Sequence, residues 1–372
     1  MFKVDLHYSW QPHPGKGFAV DAALFRTLFA IHETGSLAAA ARMLRLSYRH
    51  VWGLMGKWQR VFGKPLVVMH QGRGATLSEF GQKLLWAEEL VRARLTPGLD
   101  SVRQEVEQVL SQAMEAAPAR LSICASHDLA LAALRDRLAH RDGLKLDIRF
   151  KGSLESLEGF ARGACSVAGF HIAEGLERSA AALFERHLDA RRHRLVGLAT
   201  RTQGLMMKRG NPKNISSLAD LTHPDVRIVN RQRGSGSRIE FDELLSGAGI
   251  DAGEIQGYLD EEYTHLAVAA TIASGKVDAG FGIKAAAAQY DLEYVPLLTE
   301  RYYLACRADA MKQPELAELL GILRGDEFRR ILFELPGYGD AITGFTYRVH
   351  DALALSRAAK RATPARRAAR SR

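Results

Sequence analysis

The nine residues Asn230 to Arg238, Asn-Arg-Gln-Arg-Gly-Ser-Gly-Ser-Arg, put three arginines, two serines and two glycines just ahead of a helical pattern. Gly234 and Gly236 permit close backbone approach, while Ser235 and Ser237 offer hydroxyls and N–H groups at a helix start. That arrangement suits an anion, because the helix dipole and its unsatisfied donors point toward it. The spacing is neither the Gly-x-x-x-x-Gly-Lys-Ser/Thr of a phosphate-binding P-loop nor the Gly-x-Gly-x-x-Gly of a dinucleotide site. Ser126, Ser153 and Thr264 mark three more expected helix starts, and His127, His171 and His265 lie at or beside such ends. Taken singly, each serine or threonine is an ordinary cap; four together at strand ends favour an anion site built from neutral donors. Of Arg231, Arg233 and Arg238, one is expected to reach the ligand, with Arg231 the candidate, and the others to be solvated or ion-paired. The histidine spacing supports no particular metal. No nucleophile–base pair or paired carboxylates stand out, so neither catalysis nor a cofactor is expected.

The elements that must hold these residues alternate strand and helix. "RLSICAS", "LKLDIRF" and "SVAGFHI" read as strands separated by the helices "DLALAALRDRLAH" and "GSLESLEGFARG". "DVRIVN" opens a second such series, continued by the helix after Arg233 and by "THLAVAATIASGKVDAGFGI". Strands alternating with helices imply parallel β-α-β units. The expectation is an α/β domain over 120–350 in two lobes, one of 120–198 and 302–350, the other of 199–301, with the ligand between them. Cys124 and Cys165 read as buried strand residues, and three widely spaced cysteines with no Cys-x-x-Cys argue against a disulfide framework or a zinc site.

Ahead of that domain, residues 18–95 carry a different signature. "GSLAAAARMLRLSYRHVWGLMGKWQR" reads as two short helices capped by Ser36 and Ser47. Val51, Leu54, Met55 and Trp58 form the buried stripe of the second, leaving Tyr48, Arg49, His50 and Lys57 to face outward. No acidic residue occurs between Glu33 and Glu79, whereas seven basic ones run from Arg42 to Arg73. An extended "PLVVMH", a Gly-Arg-Gly turn and "ATLSEFG" suggest a two-stranded wing with Arg73 at its tip, placed to reach a phosphate or the minor groove. The helix through Leu84, Leu85, Leu90, Val91 and Leu95 is expected to be interrupted at Pro97-Gly98 and to serve either in dimerisation or in packing on its own domain, with 96–119 as a linker and dimerisation helix region.

The net charge of +9 is uneven: the last 16 residues, Arg357 to Arg372, hold six Arg and one Lys with no acid, while the central body is acidic. A basic front on an acidic body points to a polyanion partner for the front. The tail 357–372 is low in complexity and expected to be disordered. No apolar run is long enough to span a membrane, and the N-terminus lacks the apolar core of a signal peptide. A cytoplasmic location without membrane attachment is the expectation.

"TGSLAAAARMLRLSYRHVWGLM" and "GKPLV…GRGATLSEFG", over about residues 20–95, resemble the DNA-binding domain of the molybdate-dependent ModE-type regulators, itself related to the LysR-type winged helix. "ASHDLAL", "KGSLESL", "AGFHI", "RTQGLM", "NRQRGSGSR", "EEYTHLAVAATIASGKVDAGFG" and "PLLTERYYL" resemble a periplasmic-binding-protein-like domain found fused to such DNA-binding domains and associated with molybdate or molybdopterin. The resemblance implies a winged helix-turn-helix followed by a two-lobed sensor. Ser47, Tyr48, Arg49 and His50 would begin the recognition helix. The partners implied are a double-stranded DNA operator, a second copy in a homodimer or homotetramer, and a small-anion effector, with molybdate and tungstate as candidates. The C-terminal half does not resemble the small molybdate-binding repeats of ModE-type regulators, which keeps open an organic carboxylate such as formate. An enzyme of molybdenum-cofactor assembly is the remaining reading.

Arg49→Ala is expected to weaken specific operator binding by about 1–3 kcal/mol without unfolding the chain, whereas Lys57→Ala lowers affinity for all sequences and flattens its salt dependence. Titrations of specific and random duplexes at several salt concentrations separate the two effects, and wild-type operator affinity in Arg49→Ala contradicts the first.

Overall fold

The computed structural model describes residues 4–11, 19–70, 74–113, 120–141, 143–175 and 183–358. Arg73, and residues 359–372 of the basic tail, lie outside the described residues. The chain divides into two compact units, Asp5–Leu95 and the part from Thr96 onward, with residues 1–4 belonging to the latter. Among the described residues no helix is long and apolar enough to cross a membrane.

The first unit comprises α1 (Ala22–Thr34), α2 (Leu37–Met43), α3 (Tyr48–Phe62), a hairpin of β1 (Val67–His70) and β2 (Gly74–Leu77), and the start of α4 (Glu79–Ala113). Side chains of Asp21, Ser36 and Ser47 accept backbone N–H bonds at the starts of α1, α2 and α3. Val51, Leu54, Met55 and Trp58 are buried along one face of α3, packed with Leu24, Leu28, Ile31, Leu37 and Leu66 into one core. Gly74 has φ +94°, and a Cβ there would meet the Gly35 carbonyl oxygen at 2.2 Å. The hairpin therefore closes against the α1–α2 turn, where the Ala75 N–H donates to Gly35 O at 2.8 Å.

One expectation fails in α4. The interruption expected at Pro97-Gly98 does not occur: the helix runs through Pro97 to Ala113, so most of the linker helix region 96–119 continues the helix that begins at Glu79. Proline removes a single i→i−4 donor, too little to end a helix with turns of good formers on both sides. Ser101 Oγ donates to the Pro97 carbonyl at 2.9 Å.

The second unit is built on one mixed sheet ordered β4-β3-β5-β10-β6-β9-β7-β8. At one end β3 (Arg120–Ala125) pairs in parallel with β4 (Lys145–Phe150) and β5 (Val167–Ala173). At the other, β7 (Ile228–Arg231) pairs in parallel with β8 (Glu261–Glu262) and β9 (Ala279–Ile283). The centre is antiparallel: β6 (His193–Met207) and β10 (Glu293–Arg307) are 15 residues each and pair along their whole length. The two parallel groups are the expected lobes, and these two strands are the crossings between them, long enough to keep the hydrogen-bond ladder continuous from one end to the other. The lobe boundaries expected at 198/199 and 301/302 fall inside them.

Helices α5 (Leu129–Ala139) and α6 (Ser153–Ala161) connect the first parallel group. In the second group lie α7 (Gly236–Gly247) and α8 (His265–Ala273), followed after β9 by α9 (Lys284–Gln289). After β10, α10 (Pro314–Arg324) and α11 (Asp326–Phe333) pack Leu316, Leu319, Leu323, Phe328 and Ile331 against α5 and the strands of the first group. Short β11 (Tyr338–Gly339) and β12 (Thr346–Arg348) pair with β6, and α12 (Val349–Ala358) follows.

Candidate functional site

Where β6 and β10 cross between the two parallel groups, four of their residues, Arg201, Gln203, Glu300 and Tyr302, face one way. Arg201 and Glu300 are direct Cα partners; Gln203 lies two residues along β6 from Arg201, and Tyr302 two along β10 from Glu300, so alternation puts all four on one face. Tyr302 is in turn the Cα partner of His171 on β5. Arg201 and Glu300 are fully buried, and so is Asp128. The Arg201 guanidinium donates from Nε to Glu300 Oε2 at 3.0 Å, from NH1 to Asp128 Oδ2 at 2.8 Å and from NH2 to His171 Nδ1 at 2.6 Å. Its ring neighbour is Tyr302, with the guanidinium carbon 5.3 Å from the centroid. Burial alone pulls the Arg201 pKa down, but the Glu300 charge, with Tyr338 and Asp128, outweighs it and holds the pKa well above the usual arginine value.

The neighbours of that cluster are equally constrained. Asp128 caps α5 through Oδ1, accepting from the Leu131 N–H at 2.9 Å, while Oδ2 also accepts from the Tyr338 hydroxyl at 2.8 Å. Gln203 Nε2 bridges Glu300 Oε2 at 2.6 Å, Glu240 Oε2 at 2.8 Å and Ser237 Oγ at 3.0 Å. Burial, and then the charge of Glu300, pushes the Glu240 carboxyl well above the usual range, so it is held as the neutral acid. His171, Glu240 and Glu300 place potential metal-ligating atoms within 4.8 Å of one another. They do not suit a cation. Arginine has no acceptor, so the His171 Nδ1 that meets Arg201 carries the lone pair, and the proton of the neutral ring is on Nε2.

His171 Nε2 is therefore a buried donor, and it has no partner among the described residues. It lies against Gly236, where a Cβ would stand 2.1 Å from it. Nearby, a Cβ on Gly152 would meet the Gly234 carbonyl at 3.1 Å, so the turns that start α6 and α7 touch. The hydroxyl of Ser153, the first residue of α6, is buried without a partner.

The sequence-expected residues distribute unequally around this junction. Ser235 and Thr264 cap α7 and α8, accepting from the Arg238 and Ala267 N–H groups. Ser126 does not begin a helix: α5 starts later and is capped by Asp128, because a carboxylate at that position reaches the free N–H groups. Ser126 instead donates from Oγ to the Tyr302 hydroxyl at 3.1 Å, and its carbonyl accepts from the same hydroxyl at 2.8 Å. Ser153 is likewise not the cap of α6; Gly152 holds that position and makes no side-chain bond. Ser237 lies within α7, with its oxygen 3.4 Å from His265 Nε2. Cys124 is a buried residue of β3, whereas Cys165 is buried just before β5 rather than in it.

The three arginines of the opening stretch separate cleanly. Arg233 is exposed. Arg238 is ion-paired to Asp242 at 2.9 Å and lies over the Tyr258 ring. Arg231 is 4% exposed; among the described residues its guanidinium donates to the Tyr263 carbonyl at 3.0 Å and the Gln232 side chain at 3.2 Å, its N–H donates to Asn230 Oδ1, and its carbonyl accepts from the Arg238 guanidinium at 3.2 Å. Its Cα partner Glu262 accepts from Thr271 Oγ1 at 2.8 Å, and among the described residues no carboxylate is ion-paired to the guanidinium, though Glu300 and Glu262 support its charge from farther away. Burial, and next the charge of Arg201, lowers Arg231 to about 9. Burial likewise lowers His127, to about 4, and His171 and His265 well below their usual value, with Arg231 and Arg201 adding to the shift in each. Three neutral histidines thus surround a focus of positive charge.

On the first unit, Ser47 caps α3, and Tyr48, Arg49, His50 and Lys57 are exposed on the face opposite its buried stripe. Sequence reasoning missed Arg201, Gln203, Glu240, Glu300, Tyr302 and Tyr338. A charge inside an otherwise apolar strand, as in "LATRTQGLMM" and "PLLTERYYLA", was the available signal.

Glu300→Ala leaves Arg201 buried with one carboxylate, and is expected to cost about 3–5 kcal/mol. Chemical denaturation of the second unit's transition measures it; an unchanged midpoint contradicts the central role of the pair.

Residues 23–82 match the bacterial regulatory helix-turn-helix of the lysR family, and residues 135–324, just over half of the chain, match the PBP superfamily domain. The protein YvgK of Bacillus subtilis is 33% identical over 199 residues, covering 53% of this chain and 63% of that protein, so the chain spans less than two thirds of this relative's length. The molybdenum transport protein ModE of Azotobacter vinelandii is 27% identical over 97 residues, 25% of this chain and 36% of that protein. The solved structure of a Corynebacterium glutamicum OxyR C206 mutant covers 94% of this chain and 96% of its own at 15% identity, with a TM-score of 0.40, too loose a likeness to carry an argument. The chain belongs to the PBP superfamily through its domain over 135–324, and carries ahead of it a helix-turn-helix of the bacterial regulatory lysR type.

Proposed function

We propose that this regulator binds its operator as a homodimer or homotetramer and that its effector is a small oxyanion, molybdate or tungstate, held where β6 and β10 cross. The observation that carries the effector class is Arg231: a buried guanidinium with no carboxylate at ion-pairing distance among the described residues, whose charge burial and the nearby Arg201 oppose more strongly than Glu300 and Glu262 support it. An uncompensated buried charge is costly, and an anion removes that cost. The unpartnered donors point the same way. His171 Nε2 and the Ser153 hydroxyl are buried with no partner among the described residues, and neutral donors suit an oxyanion that carries no proton of its own. The name of the ModE relative, which shares 97 aligned residues, agrees with molybdate without deciding between it and other oxyanions.

For assembly, α4 offers a better surface than the segment Leu84–Leu95 first singled out. Leu85 is buried in the core of the first unit, whereas Leu95, Val102, Val106 and Val109 are exposed. With half-buried Leu99 they recur at alternating four- and three-residue steps, the seam spacing of paired helices.

A thermal-shift panel on the full chain tests the effector. Molybdate or tungstate at about 100 times its dissociation constant is expected to stabilise the protein by roughly 2.7 kcal/mol, with smaller sulfate giving less. A shift from formate or another carboxylate alone replaces the oxyanion with an organic acid, and no shift from any anion overturns the site.

A further inference from the structure

The exposed face of α3 carries a pattern that its charge does not explain. Tyr48 and Trp52 are 48% and 51% exposed, and their rings stack with centroids 6.2 Å apart and planes 20° from parallel. One turn apart on a helix, they form a single apolar slab turned to solvent beside Arg49. Burying such surface is worth more than leaving it wet, so the slab is matched to something that covers it.

Between its basic residues the same face is bare. Arg49, Gly53, Gly56 and Arg60 recur at four- and three-residue steps, opposite the buried Val51, Leu54, Met55 and Trp58. A Cβ on Gly53 or on Gly56 would meet nothing within 4 Å. Each glycine costs the helix roughly 0.5–1 kcal/mol relative to alanine, and no packing within the chain requires either. A bare strip flanked by guanidinium groups fits a polyanion whose surface comes very close to the helix backbone. The absence of any acid between Glu33 and Glu79 fits an anionic occupant, and the lysR-family match makes that occupant a nucleic-acid duplex.

We infer that the Tyr48–Trp52 slab is a base-reading element that packs on thymine methyl groups in the major groove, and that Gly53 and Gly56 let α3 sit deep enough for it to reach them. The inference rests on α3 being the DNA-reading helix. The thymine C5-methyl is the one apolar group on the major-groove edge of the base pairs. An aromatic face meets it without competing for hydrogen bonds, so the slab adds A·T selectivity that Arg49 and His50 do not provide.

The test uses the full chain and an operator selected from random duplexes, with each thymine replaced singly by uracil, which lacks only the methyl. For the wild type, at least one replacement is expected to weaken binding about fourfold, the equivalent of the ~0.8 kcal/mol for burying one methyl-sized group. Trp52→Ala, at an exposed position, is expected to bind that operator more weakly, to lose its sensitivity to the same uracil, and to keep wild-type affinity for random duplex. Trp52→Phe should retain the uracil effect. Gly53→Leu should weaken specific binding with the fold intact by circular dichroism. A wild type that binds its operator but ignores every uracil overturns the inference alone. So does a Trp52→Ala variant that keeps full affinity for the operator, including one that instead loses self-association or a protein partner. A wild type with no sequence preference overturns the DNA-reading helix and the inference with it.

Discussion

Arg201 stands fully buried in the middle of a long strand, and a guanidinium in such a place must be neutralised where it is. Its Cα partner across the ladder is Glu300, the turn after β3 delivers Asp128, and β5 delivers an imidazole nitrogen. Three separate segments thus have to arrive in register for one charge to be tolerated. The geometric demand is stricter than the net energy, because a buried ion pair gains little over an apolar pair of the same volume while breaking it is expensive. The pair therefore works as a constraint on arrangement. It fixes how β6 passes β10, and through Tyr338 and Asp128 it ties the segment after α11 to the start of α5.

With Asp128 and Glu300 both bonded to Arg201, a second buried arginine is left with no ion-paired carboxylate among the described residues and only partial support from Glu300 and Glu262. Arg231 lies at the end of β7, just before the turn that starts α7, and feels Arg201 as a repulsive neighbour. The same potential bears on His127, His171 and His265, and together with their burial it keeps all three neutral. Neutral imidazoles donate one hydrogen bond each and add no charge. The orientation of His171 is decided at a distance: because Arg201 can only donate, the free nitrogen of the ring must be the protonated one. One buried guanidinium thus orders a donor that it does not itself direct into the junction. This division of labour, with Arg201 structural and Arg231 uncompensated, favours an anion over a metal ion despite a histidine and two glutamates lying close together.

Much of this organisation is legible in the residues. The short strands β3, β4, β5, β7 and β9 and the helices between them follow from apolar runs bounded by serine, threonine and glycine. The buried stripe of α3 follows from its spacing, and Ser235 and Thr264 cap as their position before an apolar run suggests. What escaped depends on long-range pairing. β6 contains Arg201 and Gln203 and so reads as polar until its partner strand is known; nothing local to "LATRTQGLMM" says that Glu300, about a hundred residues later, will face it. Asp128 was passed over for Ser126 because both are capping types, and the helix start is decided by which residue reaches the first free N–H groups. The passage of α4 through Pro97 was obscured because a proline signal is local, whereas the turns on both sides hold the helix.

The account turns on Arg231 being an anion's anchor and not a structural residue, and Arg231→Met in the full chain tests that most directly. Melting temperature is measured with and without saturating molybdate, tungstate and sulfate. The arrangement predicts a ligand-free variant at least as stable as the wild type, since an apolar side chain of similar length replaces an uncompensated charge, and no stabilisation by any of the three anions. A ligand-free variant clearly less stable than the wild type, with the anion shift intact, would contradict it.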